Sequence, residues 1–185
     1  MSKTQDSDQP MRTARDLMIP LDAYPIIREN ATLAEAIATF VGAAINRKGK
    51  LSLPRILLVF DEAQALVGVV RRRHIICGLL PGFLTRQEEP HAEAHFDIVP
   101  PVDLDLADLF RDEEHKVLSA NAQAPVATVM HDIGAVVEAD DDLMELIKQT
   151  AQTHSHILPV MENGQVLGVV RTVELLSQIH RILKL

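Results

Sequence analysis

Arginine stands at two matched places in this chain. Arg71, Arg72 and Arg73 end or follow Leu66-Val67-Gly68-Val69-Val70, and Arg171 follows Val166-Leu167-Gly168-Val169-Val170. In both places the glycine-bearing segment reads as a strand and the residues after it open a helix. A helix N-terminus offers free amides and a partial positive charge, so it favours an anion and disfavours arginine unless something negative compensates. Two readings follow for Arg71 and Arg171. Their guanidinium groups meet a phosphate, pairing two oxygens at once, or they pair with the acids of the chain. Arg72 and Arg73 read as solvated. Arg55 and His156 hold equivalent places at the start of the preceding strand, where each either approaches a phosphate or lies at a strand edge in solvent.

Other candidate chemistry is thinner. In His154-Ser155-His156 the two imidazoles share a face of an extended chain. A metal site needs three or four ligands with supporting partners, and no spacing brings His131 or His180 to them, so no metal is expected. His91 and His95, next to Pro90, read as surface histidines. Cys77 reads as a small core residue; as the one cysteine of the chain it allows no internal disulfide, which suits a reducing cytoplasm. There is no nucleophile elbow, P-loop, zinc motif or dinucleotide fingerprint, and an enzyme is not expected. The net charge of −8 and the 3% aromatic content argue against a nucleic-acid partner, which needs cations and stacking faces. The apolar run from Ile56 to Val70 is broken by Asp61-Glu62, and no membrane span is expected. Residues 1–12 read as a polar, disordered tail, without the apolar core of a signal peptide.

The elements that must hold these residues come in duplicate. The segment Leu66–Arg71 returns almost unchanged as Val166–Arg171, and self-similarity at a long, fixed spacing marks a duplicated unit. The seam between two such copies is a natural place for a ligand. Upstream of each lies a capped helix: Thr32 with Glu35 forms a capping box, and Asp142 with Glu145 stands at the matching place. Leu33, Ala36, Ile37, Phe40, Val41 and Ala44 set a helical apolar stripe in the first, and Leu143, Leu146, Ile147 and Ala151 a shorter one in the second. Tyr24–Arg28 and Gly134–Glu138 read as the strands before these helices, with Asp16-Leu17-Met18 and Thr128-Val129-Met130 as short helical lead-ins. Ile56–Phe60 and Ile157–Met161 read as buried strands. Asn163-Gly164 predicts a tight hairpin, because both turn positions need positive φ. The glycine strand is then the return arm, followed by closing helices over Ile75–Leu80 and Val173–Leu185, the latter with Leu176, Ile179 and Leu183 at helical spacing. The unit is βαββα. The first copy carries an insertion, Asn46–Pro54, whose Arg47, Lys48 and Lys50 read as a solvated loop. The expected layout is 13–84 for the first repeat, 85–123 for a linker with a helix over Asp103–Leu118, and 124–185 for the second repeat.

In this order the pieces resemble a tandem pair of cystathionine-β-synthase (CBS) domains, the arrangement called a Bateman module. The resemblance covers about 140 of the 185 residues. Thr128-Val129-Met130, the helix start from Asp140 to Glu145, Leu158-Pro159-Val160 and Val166–Val170 carry it in the second copy. Asp16-Leu17-Met18-Ile19-Pro20, Thr32–Ala36 and Val67–Val70 carry it in the first. It implies an α+β fold, two βαββα repeats packed with pseudo-twofold symmetry, and a homodimer formed through the repeats. It also implies regulatory binding of an adenosine-containing ligand (AMP, ADP, ATP or S-adenosylmethionine) in the cleft between repeats, with an unidentified regulated protein as partner. The alternative is a degenerate pair serving as a ligand-free dimerisation or protein-interaction scaffold.

The family's ligand motif is glycine, two apolar residues, serine or threonine, two variable residues, then aspartate; the hydroxyl and carboxylate contact phosphate and ribose. The first copy reads Gly68-Val69-Val70-Arg71-Arg72-Arg73-His74 and replaces both groups. The second reads Gly168-Val169-Val170-Arg171-Thr172-Val173-Glu174, with a carboxylate one methylene longer and the hydroxyl moved by one position. By resemblance, the expected ligand contacts are Gly168, Val170, Arg171, Thr172, Glu174, His156, Leu158 and Pro159 in the second copy, and Arg55, Ile56, Arg71 and His74 in the first. Glu174 either accepts from a ribose diol or serves as the N3 carboxylate of its helix. Ile56, Leu158, Pro159 and Val170 either wall a base or simply pack in the core.

Overall fold

The computed structural model describes residues 13–47, 50–80, 114–153 and 155–184. The polar tail, the loop over Thr85–Pro101 with His91 and His95, and the linker helix as far as residue 113 lie outside them, as does His154. The described residues fall into two compact units: the described part of Met1–Tyr24 with Gly134–Leu185, and Pro25–Ile133.

In the first of these units, α1 (Ala14–Leu17) leads into β1 (Ile19–Pro20), and the second repeat supplies β7 (Val137–Glu138), α5 (Leu143–Thr153), β8 (Ile157–Glu162), β9 (Gln165–Arg171) and α6 (Thr172–Leu183). The sheet runs β1-β9-β8-β7, with β7 parallel to β8 and the other pairs antiparallel. The turn between β8 and β9 is the one Asn163-Gly164 predicts: φ is +50° at Asn163 and +78° at Gly164. α5 begins on Asp142, whose carboxylate accepts the Glu145 amide at 2.9 Å. The Glu145 carboxylate turns away, to Lys148 and Gln149. Leu17, Leu146, Leu158, Val160 and Val170 form the core between sheet and helices.

In the other unit, β2 (Ile26–Arg28), α2 (Leu33–Gly42), β5 (Ile56–Phe60), β6 (Leu66–Arg71) and α3 (Arg72–Gly78) repeat the βαββα order, and α4 (Glu114–Asn121) precedes a short 3-10 turn at Val126–Thr128. The sheet runs β2-β5-β6, again one parallel and one antiparallel pair. Thr32 and Glu35 close the capping box, amide to carboxylate at 2.7 Å and amide to hydroxyl at 3.2 Å. Leu33, Phe40, Leu57, Val59, Val70 and Val126 fill the core. The insertion is a hairpin rather than a loop: β3 (Ile45–Arg47) pairs antiparallel with β4 (Lys50–Ser52). Ile45, 1% exposed, anchors it.

Each lead-in packs on the sheet of the other repeat. Ile19 and Pro20 pair with Val169 and Gly168, while His131 exchanges both backbone hydrogen bonds with Val69 at 2.9 Å. A lead-in carbonyl thus lies directly over each repeated glycine. A Cβ on Gly168 would fall on the Ile19 carbonyl oxygen, and one on Gly68 would stand 2.8 Å from the His131 carbonyl oxygen. This close approach of a second backbone is what the glycine of each copy permits.

Candidate functional site

The strand-to-helix junctions are built alike. The Thr172 amide donates to the His156 carbonyl at 3.1 Å, and the Arg72 amide donates to the Arg55 carbonyl at 3.3 Å. These bonds set β8 against the start of α6, and β5 against the start of α3. Arg171 and Arg71 are the N-cap residues, both in extended conformation. Glu174 and His74 are therefore N3 residues. Of the sequence-predicted residues, only some have side chains at the surface. Arg55 and His156 are exposed, Thr172 is partly so, and Gly168 and Pro159 are buried. Ile56, Leu158 and Val170 are at most 3% exposed and pack in the cores.

The two junctions differ at the N3 residue. In the second repeat, Arg171 Nε donates to Glu174 Oε2 at 2.8 Å and Nη2 donates to Oε1 at 2.6 Å. This is a bidentate pair, with side chains 15% and 8% exposed. Tyr24, which carries no motif of its own, lies beside it. Burial pushes the Tyr24 hydroxyl well above its ordinary range; the nearby Arg171 pulls it down and Glu174 pushes it up. The phenol stays protonated. The junction is thus neutralised from within.

The first repeat has no acid in the first turn of α3. Where Glu174 stands in one copy, His74 stands in the other. Its ring centroid lies 3.9 Å from that of His131, the planes tilted by 40°. His131 reaches this place through the backbone bridge to Val69, a long-range contact with no local sequence signal. Burial is the main cause that lowers the His74 pKa to about 4, and His131, Arg71 and Arg73 lower it further. His131 is lowered by burial and by Arg71, with Asp132 acting the other way. Both imidazoles are neutral at pH 7, held so partly by like charge.

A pH dependence follows. Folded His74 resists protonation down to about 4, whereas an ordinary histidine takes its proton near 6.5. Between those values the unfolded chain binds more protons, so this contribution to stability is complete above about pH 6.5 and is lost as pH falls towards 4. The slope is at most ~1.4 kcal/mol per pH unit, reduced by the partial exposure of the ring. Urea midpoints measured at pH 7, 6 and 5 should fall in that order, and His74→Gln should flatten the trend. An unchanged slope in the variant would assign the acid loss to other groups.

Among the described residues, no group of three or more His, Cys, Asp or Glu is arranged to hold a metal ion. None of their helices is long and apolar enough to cross a membrane. The junctions present guanidinium and imidazole, the chemistry of anion recognition.

A sequence search against curated proteins returns no match. Among solved structures, CBSX2 in complex with AMP is 18% identical, covering 93% of this chain and 98% of its own, with a TM-score of 0.58. The CBS domain of a CBS-domain-containing membrane protein from Sphaerobacter thermophilus is also 18% identical, covering 91% and 88%, with a TM-score of 0.61. The cytosolic domain of the Mg²⁺ channel MgtE in complex with ATP is 21% identical, covering 90% of this chain and 48% of its own, with a TM-score of 0.56. Likeness at this level of identity speaks to the fold. The family profile described as the CBS domain matches twice, at residues 14–80 and 126–181. With both repeats matched and both built as βαββα, the chain belongs to the CBS-domain family, as a tandem pair.

Proposed function

We propose that this CBS pair is a regulatory module of the cytoplasm rather than an enzyme, and that it binds an adenine nucleotide (AMP, ADP or ATP) whose phosphates meet the first repeat at Arg71, His74 and Arg73. The contrast between equivalent positions carries this reading: Arg171 faces Glu174 in one repeat, while Arg71 faces His74 and His131 in the other. A site with clustered cations and no acid in its helix's first turn gains from an anion. The AMP and ATP complexes of CBSX2 and MgtE suggest which anion. Thermal unfolding with AMP, ADP and ATP tests it, with adenosine and S-adenosylmethionine as phosphate-free controls. Nucleotides at 100 times their Kd should stabilise by about 2.7 kcal/mol, the controls should shift the transition less, and Arg71→Ala should weaken the response. No shift with any nucleotide at several millimolar would sink the proposal.

One observation favours a second reading, a ligand-free scaffold: the two second-repeat residues nearest the family motif, Arg171 and Glu174, already satisfy each other. That reading expects flat responses throughout. Either way we propose a homodimer. Of the apolar residues that space α6 as a helix, Ile179 is partly buried but Leu176 and Leu183 are 64% and 59% exposed, as is neighbouring Val173 at 51%, because Glu174, Leu175 and Gln178 take the buried face. Such a stripe suits a partner surface. Native mass spectrometry should show twice the chain mass, shifting to monomer with Leu176→Asp.

A further inference from the structure

The Arg171–Glu174 pair has the form of an occupied anion site. Arg171 presents its Nε–Nη2 edge, and both carboxylate oxygens of Glu174 sit on it at 2.8 and 2.6 Å. A phosphate monoester presents the same two-oxygen edge to guanidinium, with more charge and a third oxygen. The occupant is covalently part of α6, three residues from the arginine it fills, and the pair is largely shielded from water. Tyr24 beside it keeps its proton, so it offers a hydroxyl donor rather than a competing charge. The first-repeat junction has the same backbone arrangement, with histidine in place of the carboxylate.

We propose that Glu174 is a built-in anion that plugs the phosphate seat of Arg171, so that the second repeat accepts a phosphate only when this carboxylate is displaced or removed. The inference rests on the reading that the junctions of this pair recognise phosphate. It makes the second repeat a latent site, and Glu174 the residue that sets how many phosphates one chain holds.

The test uses the full chain, with inorganic pyrophosphate as probe. At roughly 100 times its Kd, pyrophosphate should raise the melting temperature of Glu174→Gln by about 5 °C more than that of the wild type. Glu174→Asp, too short to chelate the guanidinium, should respond in the same direction, and adding Arg171→Ala to Glu174→Gln should abolish the gain. A response of Glu174→Gln and Glu174→Asp no greater than that of the wild type overturns the inference. If both variants are unfolded at 25 °C, pyrophosphate should restore their far-ultraviolet circular dichroism, and failure to do so counts equally against it. Wild-type binding of AMP is measured alongside. A flat wild type with a responsive Glu174→Gln removes the first-repeat reading and leaves this one. A responsive wild type with no added response in either variant does the reverse.

Discussion

Glu174→Ala should cost about 3–5 kcal/mol of unfolding free energy, the largest loss expected from any single change at the junctions. The reason is what remains behind. Arg171, 15% exposed, would keep its charge with neither the carboxylate nor full hydration to balance it, and a guanidinium does not escape by deprotonation. The pair itself need not be strongly stabilising, because two charges lost their water when it formed. Replacing both partners together, as Arg171→Met with Glu174→Leu, should therefore recover most of the loss and come within about 1 kcal/mol of wild type. Urea unfolding of the two single variants and the double variant gives the coupling directly. A double variant as unstable as Glu174→Ala would show that the loss came from cavity or helix effects rather than from a stranded charge.

Gly168→Ala should be nearly as damaging, at about 3 kcal/mol, although it adds a single methyl group. That methyl would land on the Ile19 carbonyl oxygen, with the Ile19 carbonyl carbon and Met18 Sδ each at 3.1 Å. The obstacle is backbone, so no rotamer change relieves it, and β1 must leave β9. Two further glycines calibrate the effect. Gly68→Ala meets the Met130 side chain, which can move, and the His131 carbonyl at 2.8 Å, so it should cost less. Gly42, the last residue of α2, has nothing within 4 Å of the added carbon, and Gly42→Ala should be neutral or stabilising by up to ~1 kcal/mol. Hydrogen exchange at the β1–β9 pairing reads the local effect. Unchanged protection there in Gly168→Ala would contradict the role assigned to this glycine.

Much of the fold is legible in local chemistry. The Thr32–Glu35 box, the Asn163-Gly164 turn and the apolar runs at Ile56 and Ile157 each encode their element within a few residues, and their repetition marks the duplication. What escapes a sequence reading are features with no local pattern. A two-residue strand such as Ile19–Pro20 has no periodicity to detect, so its pairing with β9 is invisible there, as is the matching bridge from His131 to Val69. The insertion misleads because Arg47, Lys48 and Lys50 mask the alternation of a short hairpin. At the junctions, sequence poses the alternatives for Arg171, phosphate or internal acid, and the three-residue spacing to Glu174 makes the second geometrically available. It does not reveal that the homologous place in the first repeat faces a histidine from a distant part of the chain, because that neighbour arrives through tertiary packing.

The pairing of Ile19 with Val169 also has a consequence for synthesis. As the chain leaves the ribosome N-terminus first, β1 emerges well before the strand it pairs with, β9. At about 5–20 residues per second, that wait is on the order of ten seconds. The first repeat's hairpins can zip meanwhile, but β1 has no strand to pair with until β9 has been made. Truncated nascent chains should for that reason be protease-sensitive at Ala14–Pro20 until the last strand has cleared the exit tunnel.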